Sequence, residues 1–325
     1  MKRHILGLIA FAYAVLPAQA SPRAKEAPFP PLPVAVSSFG AAVADGWLYV
    51  YGGHSGKTHE YSTEAVAGTF YRLNLADPRA WEALPGGPKL QGLALVAYKG
   101  KIYRVGGMQP RNAPGAEADN YSVATCACFN PAAKSWTNLP DMPAGRSSHD
   151  AAVVGSKLVV VGGWDMKGGD KTPEWHSTAL VLDLENQPLR WETVKQPFER
   201  RSLTATALDD KVFVIGGIDD EDSIALKVDI YDPAKNAWTA GIPLPGPKAN
   251  GFSPASCLAG GQLYVSTADG KVNRLAADGK VWQEVGKLKQ PRMVHRMLAA
   301  NDNQLVVVGG ASKGGNVAST ETVKP

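Results

Sequence analysis

The chain has 325 residues, a formal net charge of +4 and 44% hydrophobic residues, with 34 glycines and 24 prolines. This composition describes many short elements punctuated by turns around a packed core, and it excludes a disordered or fibrous chain. Removing Lys2 and Arg3 with the N-terminal segment takes the charge from +4 to +2, too little to attract nucleic acid or an anionic membrane.

Residues 1–20 place Lys2 and Arg3 before the apolar run Ile5 to Leu16 and end in Ala18-Gln19-Ala20. This is the pattern of a secretory leader cleaved after Ala20, and it predicts a periplasmic or secreted protein. The run falls short of the roughly 20 residues that span a bilayer, and no cysteine follows the cleavage site, so no stable membrane anchor is expected. Residues 21–27 read as a short linker and 28–325 as one domain.

The mature chain is repetitive. In Arg146 to Gly163, RSSHDAAVVGSKLVVVGG, a small-residue strand, a Gly155-Ser156 turn and a β-branched strand lead into Gly162-Gly163, which is the signature of a hairpin. The glycine pair returns at Gly52-Gly53, Gly106-Gly107, Gly216-Gly217 and Gly309-Gly310, the first four members standing 54, 56 and 54 residues apart. The last interval, 93 residues, hides one more member at QLYVST, where Ser266-Thr267 replaces the glycines. A second marker runs in step at Trp81, Trp136, Trp191, Trp238 and Trp282, with WEALP and WTNLP the clearest cases. Six hairpins and five tryptophans leave one outer strand missing at the C-terminus. Phe29 to Pro33, FPPLP, matches WEALP and is predicted to supply it, so both termini close one ring. The pairs Asp77-Pro78, Asn130-Pro131 and Asp232-Pro233 mark turns ahead of the outer strands.

At these residues, from about Pro28 to Lys324, the chain resembles the kelch family of β-propellers. The resemblance implies an all-β, six-bladed propeller of four-stranded blades, and it leaves function open among enzymes, sugar binders and protein-binding modules.

In such a ring one face carries the loops after Gly-Gly and the links into the inner strands. The loops His54 to Gly68, Met108 to Tyr121 and Trp164 to Ser177 are long, and they predict a wall over blades one to three. His54, His59, His149, His176 and His295 all fall on this face. His149 and His295 hold equivalent positions in opposite blades, which suggests an acid–base pair across the mouth, or a metal set with His176. Arg146, Arg200 and Arg292 share one repeat position, with Arg201 adjacent and Asn250 in blade five. Such a rim suits an anionic ligand, although hydrogen bonding within the scaffold explains the same pattern. Nearby acids are Glu60, Glu64, Asp119, Asp150, Asp165, Glu174, Glu199, Asp219 and Asp220. Tyr61, Tyr121, Trp164 and Trp175 offer aromatic platforms for a glycan or a protein partner. Cys126, Cys128 and Cys257 read as buried free thiols in strands.

Among secreted bacterial kelch propellers the chain resembles the N-acetylneuraminate epimerase (sialic acid mutarotase) group, through phrases such as WEALPGGPKLQG. That resemblance implies cofactor-free chemistry by a carboxylate and an arginine on an anionic sugar, for which Glu199 beside Arg200 is the candidate. Two functions are therefore carried forward: a binding module using the wall of blades one to three, and a sugar mutarotase or epimerase.

Overall fold

The computed structural model describes residues 29–169 and 171–325. The expected leader and linker lie outside the described residues. Six antiparallel sheets surround a central axis, and their strands follow the repeat. Blade one contains Gly40–Ala44, Trp47–Tyr51, Phe70–Asn74 and Glu82–Leu84 from the inside outward. Blades two to five repeat that order, beginning at Ala94–Tyr98, Asp150–Val154, Arg201–Leu208 and Ala255–Ala259. Blade six comprises Arg296–Asn301, Gln304–Val308 and Thr320–Val323.

The N-terminal segment meets blade six, as the marker count required. Leu32 N donates to Ala318 O at 2.8 Å, and Thr320 Oγ1 donates to Phe29 O at 2.7 Å. The register lies three residues from the expected one. Trp136 Nε1 donates to Pro85 O and Trp191 Nε1 to Pro140 O, each to the preceding blade, and Trp81 Nε1 donates to Pro30 O in the same way. Pro30 is therefore the counterpart of Pro85. FPPLP therefore stands where the other blades have the turn that follows the outer strand, and the residues before Phe29 lie outside the described residues.

The glycine pairs exist because backbones meet there. The N–H of Gly53, Gly107, Gly163 and Gly310 donates to the carbonyl of Leu90, Arg146, Arg200 and Val36 respectively, in the next blade, each at 2.8 Å. At Gly162, φ is +67° and an added Cβ would lie 2.5 Å from Arg200 O. Gly162→Ala is thus expected to lower stability by about 2 kcal/mol or more, read as a fall in the urea midpoint at unchanged slope. Blade five dispenses with the pair. Its short link closes as a tight turn, Thr267 N to Lys271 O and Gly270 N to Thr267 O, so Ser266 and Thr267 are accommodated at ordinary φ.

Between blades lie clusters of aliphatic and aromatic side chains, such as Ile102, Phe129, Tyr51 and Phe70 between blades one and two. Each fully buried aliphatic or phenyl group contributes on the order of 1.5–3 kcal/mol, so the core is distributed around the ring. Cys126 is buried, Cys128 and Cys257 are half-buried, and all three are free. Burial pushes the Cys126 and Cys257 thiols up to about 12, which suppresses thiolate chemistry.

Candidate functional site at the loop face

Six equivalent residues surround the mouth of the channel: Ser38, Gly92, Ser148, Ser202, Ser253 and Val294. All have φ between 46° and 59°. Their main chains are linked from blade to blade: Ser38 N to Val294 O, Gly92 N to Ser38 O, Ser148 N to Gly92 O, Ser202 N to Ser148 O, and Ser253 N to Ser202 O. The link from Val294 to Ser253 is not made, so this hoop is open between blades five and six. Val294 is its strained member, because a β-branched side chain disfavours positive φ. The cavity inside the hoop is about 60 Å³, enough to hold water.

In blades three and six the residue after the histidine occupies the axis. Arg296 of blade six donates from Nη1 to both carboxylate oxygens of Asp150 in blade three, at 3.0 and 2.9 Å. Its Nε donates to Phe39 O in blade one at 3.1 Å and its Nη2 to the Leu93 carbonyl, just before the inner strand of blade two, at 3.3 Å. Asp150 Oδ2 also accepts from Ala205 N at 2.9 Å and Thr204 Oγ1 at 3.2 Å in blade four. This clasp ties five blades together across the channel. Sequence reasoning counted Asp150 only as a nearby acid and missed Arg296. The available signal was opposite charge at one repeat position in opposite blades.

The histidines lie differently from the expected facing pair. The His149 ring is wedged toward blade two, where a Cβ on Gly106 would come within 2.9 Å of its Cε1. Among the described residues neither of its nitrogens makes a hydrogen bond of good geometry, although the Val105 carbonyl acts on the ring. His295 turns toward blade five, with Nε2 2.9 Å from Ser266 Oγ. Burial holds both imidazoles neutral, His149 well below the usual histidine range and His295 down to about 3, with nearby arginines acting in the same direction. His176 Nε2 donates to Gly145 O at 2.9 Å, and burial again lowers its pKa. Among the described residues no three His, Cys, Asp or Glu side chains are grouped to hold a metal ion, and His149, His176 and His295 do not assemble into one.

Three rim arginines bond to their own blades. Arg146 Nη1 donates to Gly162 O and Thr178 O at 2.9 and 2.8 Å. Arg200 donates to Gly216 O and pairs with Asp229. Arg292 donates to Gly309 O and Ser319 O and pairs with Glu321. Each closes the same gap between the glycine pair and the third strand, and each is at most 4% exposed. Asn250 does not share their repeat position, which Gly251 holds. It sits in the 3-10 turn Lys248–Gly251 and donates to Pro245 O and Asp269 Oδ2. Glu199 is exposed and lines a cavity of about 390 Å³ with Arg200, Asp219, Ser223, Lys227 and Asp229.

The wall over blades one to three is built. In blade two Met108–Pro110 pairs with Asn120–Ser122, and in blade three Trp164–Asp165 pairs with Glu174–Trp175. Asn112 Nδ2 donates to Tyr61 O at 2.6 Å, joining the loops of blades one and two. Ser122 N donates to Met166 O, and Gly169 N to Asp119 Oδ1, joining blades two and three. On this wall each blade carries a ring contact. His54 packs against Tyr61 at 5.5 Å, the Arg111 guanidinium lies 3.6 Å over Tyr121, and Trp164 and Trp175 pack at 5.3 Å. Arg201, at the start of blade four, stacks 4.1 Å over Trp164 and 5.5 Å over Trp175. His59 is an exposed loop residue.

Residues 92–310 match the KLHDC2/KLHL20/DRC7 Kelch-repeats domain. The chain is 26% identical over 222 residues to Kelch-like protein terF of Aspergillus terreus, covering 66% of this chain and 47% of that protein. It is 26% identical over 333 residues to N-acetylneuraminate epimerase of Pasteurella multocida, covering 90% of this chain and 73% of that protein. It is 24% identical to Kelch-like protein 35 of Mus musculus, covering 76% and 36%. The chain thus spans less than half the length of two of these three relatives. In fold it is similar to the solved structure of YjhT, with a TM-score of 0.70 at 18% identity over 90% of this chain and 95% of that one. With the matched profile extending over more than half of the chain, and with glycine pairs, tryptophan marker and six radial sheets in one repeat, the chain belongs to the Kelch-repeat family.

Proposed function

We propose that the chain is an extracytoplasmic binding module that takes a protein partner or a glycan on the wall of blades one to three. The observation that carries this reading is the distribution of free chemistry on the loop face. The guanidiniums of Arg146, Arg200 and Arg292 and the rings of His149 and His295 are committed to packing and bonds inside the fold. The aromatic rings with their stacked arginines stand on the wall, held by loops longer than the fold requires. Rigid aromatic and arginine groups are those that anchor interfaces.

A second reading, a cofactor-free sugar mutarotase or epimerase acting on a sialic-acid-like anionic sugar, rests on the alignment with the Pasteurella relative along 90% of the chain and on exposed Glu199 in its cavity. Proton transfer alone suffices for anomeric ring opening. Magnetization-exchange NMR on N-acetylneuraminate separates the two. The binding reading expects no anomer exchange above the uncatalysed rate. Exchange that is abolished by Glu199→Gln, in a variant that melts like the parent, overturns it in favour of the enzyme.

A further inference from the structure

Four arginines at the inner-strand starts, Arg146, Arg200, Arg292 and Arg296, have their guanidiniums bonded to main-chain carbonyls or carboxylates. Arg201 differs. Among the described residues the one hydrogen bond of its guanidinium runs from Nη1 to Ser202 Oγ, at 3.3 Å. Among the described residues no carboxylate comes within 4.0 Å of it; Asp222 acts on it only from farther away. It lies against two indoles, and both its Nε and Trp164 Nε1 are unpartnered donors. Buried donors without acceptors cost on the order of 1–3 kcal/mol each, so the fold holds this stack at a cost. Arg111 repeats the theme on blade two: it is exposed, stacked on Tyr121 and, among the described residues, without an ion pair. Lys57 and Lys167 on the same wall, by contrast, are paired with Glu60 and with Asp165 and Glu174.

We propose that Arg201, stacked on Trp164 beside Trp175, is a carboxylate anchor for an acidic peptide segment, with Arg111 taking a second carboxylate. The assignment rests on the binding reading above and names its partner class. Stacking fixes the plane of the guanidinium, so its outer edge meets a carboxylate as a preset fork, which a lysine cannot imitate. Two anchors on blades two and four favour a peptide over a monosaccharide acid. A monosaccharide acid carries a single carboxylate, whereas six extended residues, reaching about 20 Å, can present one to each arginine.

The test is calorimetric titration of the full mature chain with hexaglutamate, hexaglutamine, glucuronate and glucose, in parallel with Arg201→Gln, Arg201→Lys and Arg111→Gln variants whose melting matches the parent. Hexaglutamate is expected to bind and hexaglutamine not. Arg201→Gln and Arg201→Lys should each weaken hexaglutamate about tenfold or more, the equivalent of one charge-assisted bond, and Arg111→Gln should weaken it less. Equal binding of hexaglutamine, undiminished binding by Arg201→Lys, or binding of glucuronate alone overturns the proposal. A photo-crosslinker at Tyr61 keeps the two readings distinguishable. Cross-links to a partner without hexaglutamate binding sink only the carboxylate anchor, and neither signal sinks the binding module as well.

Discussion

Replacing Arg296 with methionine is expected to cost about 3 kcal/mol of stability, because it leaves Asp150 charged in the bore with a deficit of partners. The Asp150 side chain is only 5% exposed. Without Arg296 it retains Ala205 N and Thr204 Oγ1 and loses the guanidinium whose Nη1 meets both of its oxygens. Breaking one side of a buried pair is costly, whereas removing both charges often is not. The double variant Asp150→Leu, Arg296→Met should therefore lose clearly less than the sum of the single variants. Urea unfolding of the four proteins reads the coupling directly. Simple additivity, or an Arg296→Met loss below about 0.5 kcal/mol, would show that the clasp is incidental. The expected size also follows from where Arg296 reaches. It bonds the carbonyls of Phe39 and Leu93 as well as Asp150, and it starts from the blade at which the main-chain hoop is open. Side-chain bonds from blade six to blades one, two and three substitute for the missing link to blade five.

The blade count was legible because it rests on backbone constraints. A glycine pair that must approach the next blade's carbonyl leaves a mark in any sequence, and so does an indole that must reach back over the preceding turn. The mouth was less legible, because repeat position alone does not say where a side chain points. His149 and His295 stand at equivalent positions, yet each ring turns toward its preceding blade rather than toward the axis. The next residue in each repeat faces the bore, and there the pairing is of unlike residues, Asp150 with Arg296, which a search for recurring residue types passes over. The rim arginines show the converse. Their recurrence in blades three, four and six reflects a recurring gap beside the glycine pair. The aromatic residues were found because loop length and residue type needed no orientation to be suggestive. Their stacking on Arg111 and Arg201 required the folded loops.

Acid should destabilise the protein well above the range in which its carboxylates titrate, and His149 and His295 should be the main cause. Both are neutral in the folded state, His295 with a pKa of about 3 and His149 also well below its ordinary value. In the unfolded chain they titrate near about 6.5. Below that pH the unfolded state binds protons that the folded state refuses, so stability rises with pH through this window and falls as pH drops. The loss is about 1.4 kcal/mol per histidine per pH unit below 6.5, and His176 adds to it in the same direction. Between pH 7.5 and 5.5 the two rings should together remove roughly 3 kcal/mol. The repeat itself supplies the control, since Phe39, Leu93 and Leu203 occupy the same position in blades one, two and four, so leucine suits the site. His149→Leu removes two unpartnered ring nitrogens and should gain about 1 kcal/mol at pH 7.5. His295→Leu strands the buried Ser266 hydroxyl and should lose a similar amount there. At pH 5.5 each variant should have shed its own share of the acid penalty. Urea midpoints at the two pH values measure all of this, and variants that keep the parent's full pH slope would mean that the rings take up protons while folded, contrary to their packing between the blades.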